Sequence, residues 1–153
     1  MKRSILVTLF LLPVALHAQQ RLLSFDDLLA ALANGKNVRV VIHYAKCQLV
    51  IDSVEQKAPD AIGGMDLSTF EYFAPGVVHP TKGYLASSKA VLIHHARHGY
   101  VQNYVRLRAY DDGTVEITAR YLLPTTWEVV MDETFRGRLS AGNDDEGVSF
   151  FAN

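Results

Sequence analysis

The sequence predicts an α+β, mainly β protein: one N-terminal amphipathic helix packed on an antiparallel meander long enough to curl into a barrel or half-barrel. Three observations carry that expectation. Helical periodicity is confined to one stretch near the N-terminus, "SFDDLLAALANG". β-branched and aromatic residues dominate the chain after it, and "YVQNYVRLRAYDDGTVEITARYLLPTTWEVVMDETF" alternates apolar with polar over most of its length. Turn chemistry punctuates that segment at "DDG" and "PTT".

The chain has 153 residues, which suits one domain. Residues 1–18 read as a secretory signal peptide and residues 19–153 as the domain. A basic start, Met1-Lys2-Arg3, is followed by the apolar run "SILVTLFLLPVALHA", broken at Pro13 and ending at the small residue Ala18. Leu16, at −3 from that cut, is larger than usual. The run is too short and too interrupted for a membrane anchor, and the lone cysteine, Cys47, is far from an acylation position. Losing Lys2 and Arg3 takes the 15 basic residues to 13 against 16 acidic ones, a net charge of about −3. With no basic stripe, the chain predicts no nucleic-acid partner. One cysteine forms no internal disulfide, so apolar packing must hold the fold.

The helix has its start and stop signals. Ser24 is the N-cap, Asp26 and Asp27 face the positive end of the helix dipole, and Leu23 can staple onto Leu28. Phe25, Leu28, Leu29 and Leu32 form one stripe, and Asn34-Gly35 ends the element. "NVRVVIHYAKCQLVID" then suits one long strand, bulged near Ala45. The segment "KAPDAIGGMDLSTFEYFAPG" reads as a loop to about Met65, a short strand through Phe73, and a turn at Pro75-Gly76. Residues 88–95 read as a strand.

Register can be predicted in the C-terminal half. A two-residue Asp-Gly turn would set polar faces against apolar ones. A three-residue turn, Asp111-Asp112-Gly113, instead places Ala109 opposite Val115, Leu107 opposite Ile117 and Val105 opposite Ala119. It also sets Arg108 opposite Glu116 and Tyr104 opposite Arg120 on the other face. With "PTT" as the next turn, Leu123 faces Trp127, Tyr121 faces Val129 and Ala119 faces Met131. The tail "FRGRLSAGNDDEGVSFF" reads as two further short strands around a polar loop. Seven or eight strands result.

The segments "DAIGGMDLSTFEYFAPG" and "GYVQNYVRLRAYDDGTVEITARYLLPTTWEVVMDETFRG" resemble the VirK family of small exported bacterial proteins. The resemblance spans most of residues 19–153. It implies export, a single domain and an association with virulence regions, and it supplies no catalytic residue to carry over.

Spacing decides what the chemistry-bearing residues can do. "IHHARHG", residues 93–99, suggests a zinc site, but the strand period sends His94 and His95 to opposite faces and leaves His98 in the connection. Distant His43 or His79 could complete a set, since three ligands and a water suffice for zinc. Cys47 is four residues from His43, about 13 Å along a straight strand, too far for a nucleophile–base pair without a bend. Asp60 beside Gly63-Gly64 matches no phosphate loop, and "DDG" lacks the further ligands of a calcium loop. The sequence therefore points to no catalytic residue, no metal and no cofactor. The ligand-binding candidates are His95 and Asn103, which share the inward parity, and the aromatic residues Tyr121, Trp127 and Tyr72, which could line a barrel mouth beside Phe70 and Phe73.

The expectation is an exported protein, periplasmic or secreted from a Gram-negative type cell envelope, with no membrane anchor after signal cleavage. Its function is expected to be non-enzymatic binding of a partner protein or a small apolar ligand. The alternatives are an apolar-ligand carrier with a barrel cavity, or a small metal- or Cys-dependent hydrolase.

Overall fold

A computed structural model describes residues 19–51, 53–78, 81–142 and 146–153. Residues 1–18, where the signal peptide is expected, and His79 lie outside the described residues. The chain order is β1 (Gln20–Leu22), α1 (Phe25–Ala33), β2 (Val38–His43), β3 (Gln48–Ile51), β4 (Val54–Gln56), β5 (Ile62–Asp66) and β6 (Glu71–Phe73). It continues with β7 (Tyr84–His95), β8 (Gly99–Tyr110), β9 (Thr114–Leu122), β10 (Val129–Leu139) and β11 (Gly147–Ala152). The strands form one sheet in the order β5-β2-β11-β10-β9-β8-β7-β6, with β1 added on β11 and β3 on β10. The sheet curls into a half-barrel and does not close: among the described residues its end strands, β5 and β6, do not pair with each other.

The class is mainly β rather than α+β. α1 has nine residues, and Ser24 Oγ accepts from Asp27 N–H at 3.1 Å. Phe25, Leu28, Ala31 and Leu32 are buried, whereas Leu23 stays exposed and Leu22 takes the buried place before the cap. The helix supplies one apolar stripe to a core that is otherwise made mainly by strands.

The β8–β9 register is the one the alternation requires, with Ala109 opposite Val115, Leu107 opposite Ile117 and Arg108 opposite Glu116. Gly113 closes the turn at φ +80°, a conformation other residues adopt only with strain. Lys82 ties this turn to the start of β7 through a 2.5 Å contact with Asp112. That hydrogen bond is the main reason the Asp112 carboxyl is held down to about 2.

Four expectations are corrected by long-range packing. The stretch read as one bulged strand is two, β2 and β3, separated by a 3₁₀ turn at Tyr44–Lys46 that turns Cys47 into the core. The loop expected up to Met65 contains β5, whose two glycines lie in a strand antiparallel to β2. After the β9–β10 connection the register shifts, so Met131 rather than Val129 faces Tyr121, and Glu133 rather than Met131 faces Ala119. The cause is a longer turn: Leu123 N–H donates to Glu128 O, Trp127 N–H donates to Leu123 O, and a bulge follows Val129. Finally, "FRGRL" continues β10 instead of starting a new strand, and β11 joins β10 in parallel at Arg138–Gly147 and Leu139–Val148. Among the described residues there are thus eleven strands, not seven or eight.

Candidate functional site

Buried Leu85, Leu107, Ala109, Val115, Ile117 and Phe135 mark the core-facing, concave side of the half-barrel. Strand parity continues this face toward the mouth through Lys89, Val91, Ile93 and His95 on β7 and through Asn103 and Val105 on β8. Asn103 lies opposite Tyr121 in the β8–β9 ladder. The His95 ring contacts the Tyr121 ring at 5.2 Å and stacks on His98 at 5.0 Å. His95, Asn103 and Tyr121 therefore share one end of the concave face.

The other two sequence candidates lie elsewhere. Tyr72 pairs with Leu85 and contacts Phe25 of α1 at 6.2 Å, at the far end of β7 from His95. Trp127 sits in the β9–β10 connection at φ +60° and is 64% exposed. It does not face Leu123 across a ladder, because the five-residue hydrogen-bonded turn turns it outward. His94 points to the opposite face and meets Tyr100 edge-on at 5.3 Å. Among the described residues, no group of three or more His, Cys, Asp or Glu side chains is placed to hold a metal ion.

The open side of the half-barrel forms a cleft of about 280 Å³ between β2/β5 and β7/β8. Ile42, Tyr44, Met65 and Val105 give it an apolar floor, and Lys89, Val91 and Asn103 line one bank. Lys89 Nζ reaches across to Asp66 at 4.0 Å, and Asp66 also pairs with Arg39 at 3.7 Å. Tyr44 meets Phe135 in a tilted ring contact at 4.6 Å, and burial, then the nearby Cys47, Tyr121 and Glu133, push its hydroxyl pKa up.

Cys47 is brought back toward His43 by the 3₁₀ turn, which a straight strand would not allow. It meets the backbone rather than the imidazole: Cys47 Sγ donates to His43 O at 3.6 Å. The sulfur packs under Gly137 and Gly147, where added Cβ atoms would lie 2.9 and 3.0 Å from it. Burial pushes the thiol pKa up, so the reactive thiolate is scarcer than on a free cysteine. At pH 8, a disulfide reagent should modify native Cys47 at least about tenfold more slowly than the urea-unfolded chain. Equal rates in the two states would show that the thiol is accessible.

A second cleft, about 500 Å³, lies on the convex face. It was not legible as a site because Tyr104, Arg106 and Arg108 read as the solvated side of β8. β6 and the preceding Thr69-Phe70 segment fold beside them and supply walls at Phe70, Glu71 and Phe73. Opposite the long side chains of β8, β7 places small ones: Ala86 faces Arg108, Ser88 faces Arg106 and Ala90 faces Tyr104. That size mismatch leaves the cavity. The one local hint is the small-residue run "ASSKA" beside an Arg-rich strand.

Comparison with known proteins agrees on one family. The model of that family, described as VirK protein, matches residues 21–127. A crystal structure of a VirK family protein from Legionella pneumophila superposes with a TM-score of 0.65 at 17% identity, covering 86% of this chain and 98% of that one. At that identity the likeness speaks for the shared fold. No curated protein sequence matches the chain.

Proposed function

This chain belongs to the VirK family, and from that premise we propose that it is an exported, non-enzymatic interaction module that receives an extended segment of a partner protein along the open side of its half-barrel. One observation carries the reading. β7 has twelve residues, all paired with β8, yet its other edge pairs with β6 only from Tyr84 to Ala86. The remaining edge faces the cleft and the equally open outer edge of β5.

An open edge presents alternate N–H and C=O groups that an incoming strand satisfies. Soluble proteins usually blunt such edges with charge; here, beyond Lys89, Val91 and Leu92 are exposed on the two faces of the same edge strand. Export is supported by the basic-then-apolar pattern of residues 1–18. Among the described residues no helix is long and apolar enough to cross a membrane. A part in virulence, which the family name suggests, would be exerted through the partner.

The test uses the full chain in its own host, with a photo-crosslinking residue at Leu92 or, as control, at exposed Val77. The expected result is a discrete protein adduct from position 92 only, lost when Ala90→Lys charges the edge. The mature protein should begin at Gln19. Identical adducts from both positions, or adducts indifferent to Ala90→Lys, would remove the edge as the binding surface. An uncut N-terminus would remove export.

A further inference from the structure

We propose that the convex-face cleft between β6 and β8 is a second, independent binding site, and that it takes a small monoanionic ligand with a flat ring, such as an aromatic monocarboxylate. The argument begins with charge. The expected Arg108–Glu116 pair does not form, although the two residues are opposite in the ladder. Glu116 is instead 3.8 Å from Arg136, and Arg120 takes Asp132 at 2.9 Å. Among the described residues neither Arg106 nor Arg108 has a carboxylate within ion-pair distance. Two guanidinium groups therefore line one cleft with a single carboxylate, Glu71, which is not within ion-pair distance of either, on a domain whose net charge is about −3.

Their surroundings orient them toward a ligand. The Arg108 guanidinium lies over the Tyr84 ring at 5.4 Å, and its Nε is buried with no hydrogen-bond partner among the described residues. Tyr84 is itself clamped by Phe73 at 5.0 Å and Tyr110 at 5.8 Å, so Arg108 rests on an aromatic stack. Arg106 spends one donor on Thr118 Oγ1 at 3.2 Å, which fixes the group while leaving further N–H bonds free in direction. Arginine forks match a carboxylate in two parallel hydrogen bonds.

The ligand class follows from the walls. Phe70, Phe73 and Tyr104 line the cleft with aromatic surface, which a flat apolar body would cover. Glu71 also lines the cleft, so its charged lining sums to about +1 with the two arginines, which one negative charge on a ligand neutralises. The volume, about 500 Å³, suits a molecule of one or two rings.

The experiment titrates mature protein with 2-naphthoate, followed by ligand fluorescence and by protein NMR shifts. Saturable binding is expected, with shifts at Tyr84 and Tyr104. Arg106→Gln and Arg108→Gln should each weaken it about tenfold, the loss expected for one charge-assisted hydrogen bond, with native circular dichroism retained. Should Arg108→Gln unfold, Arg106→Gln alone decides, because Arg106 is not part of the aromatic stack. The neutral amide of the same ring system should bind about tenfold more weakly than the acid, and inorganic phosphate should not compete. Absence of saturation, equal affinity for acid and amide, or unchanged affinity in both variants would overturn the proposal. Competition by phosphate would overturn the monoanion assignment. None of these outcomes touches the β7 edge.

Discussion

Phe150→Ala is expected to cost about 3–5 kcal/mol, the range for emptying a fully buried aromatic site. Phe150 is 0% exposed and lies opposite Leu22 on one side and Val40 on the other. β11 is the strand through which β1 and β2 reach the meander, so the cavity would open where the two parts of the sheet meet. Domains of this size have total stabilities of about 5–15 kcal/mol, so the variant should lie near the edge of folding. In urea titration its midpoint should fall sharply, and its melting temperature should drop by about 10 °C or more. A loss below about 1 kcal/mol would mean that the core does not close around this ring.

Gly64→Ala should be the second most damaging change, at about 2–3 kcal/mol. A Cβ at Gly64 would lie 2.4 Å from the Val40 carbonyl oxygen and 3.5 Å from its carbon. Those atoms are backbone of the paired strand, so relief requires β5 to lift from β2 and the cleft to widen. Gly63→Ala is the internal control: its Cβ would meet the Tyr44 ring at 2.8 Å, and a side chain can yield where a backbone cannot. Urea unfolding of both variants should rank Gly64→Ala as the greater loss. The reverse order would falsify the assignment of the clash to the β2 backbone.

These two glycines also show why part of the fold was hard to read. Paired glycines beside a proline and an aspartate predict a loop, because glycine is costly in a strand. In β5 they serve close approach to Val40 and Tyr44, residues more than fifteen positions away. The turn at Tyr44–Lys46 was equally opaque, since "HYAKCQ" has no turn residues. It exists because Tyr44 N–H is taken by Ala61 O and Cys47 fits beneath Gly137 and Gly147. Trp127 misled in the opposite way: its apolar bulk suggested an inward ladder position, and the longer turn exposes it.

The candidate site divides along the same line. Parity alone separated His94 from His95 and put His95, Asn103 and Tyr121 on one face, and the ring contact at 5.2 Å between His95 and Tyr121 follows from that. Parity could not show that Arg106 and Arg108 stand in a cleft, because its aromatic wall comes from β6 and the loop before it.

The sequence by itself determined the β8–β9 hairpin, the inward-facing side of β7, β8 and β9, and hence the separation of His94 from His95. Those features depend on alternation and turn chemistry between near neighbours, which act wherever the segment lies. Only the tertiary structure decided that the sheet stays open between β5 and β7, that β11 runs parallel to β10, and that two arginines face aromatic rings. Each of these depends on volumes and backbone edges that meet across long separations, and no local pattern encodes which distant surface will arrive to fill them.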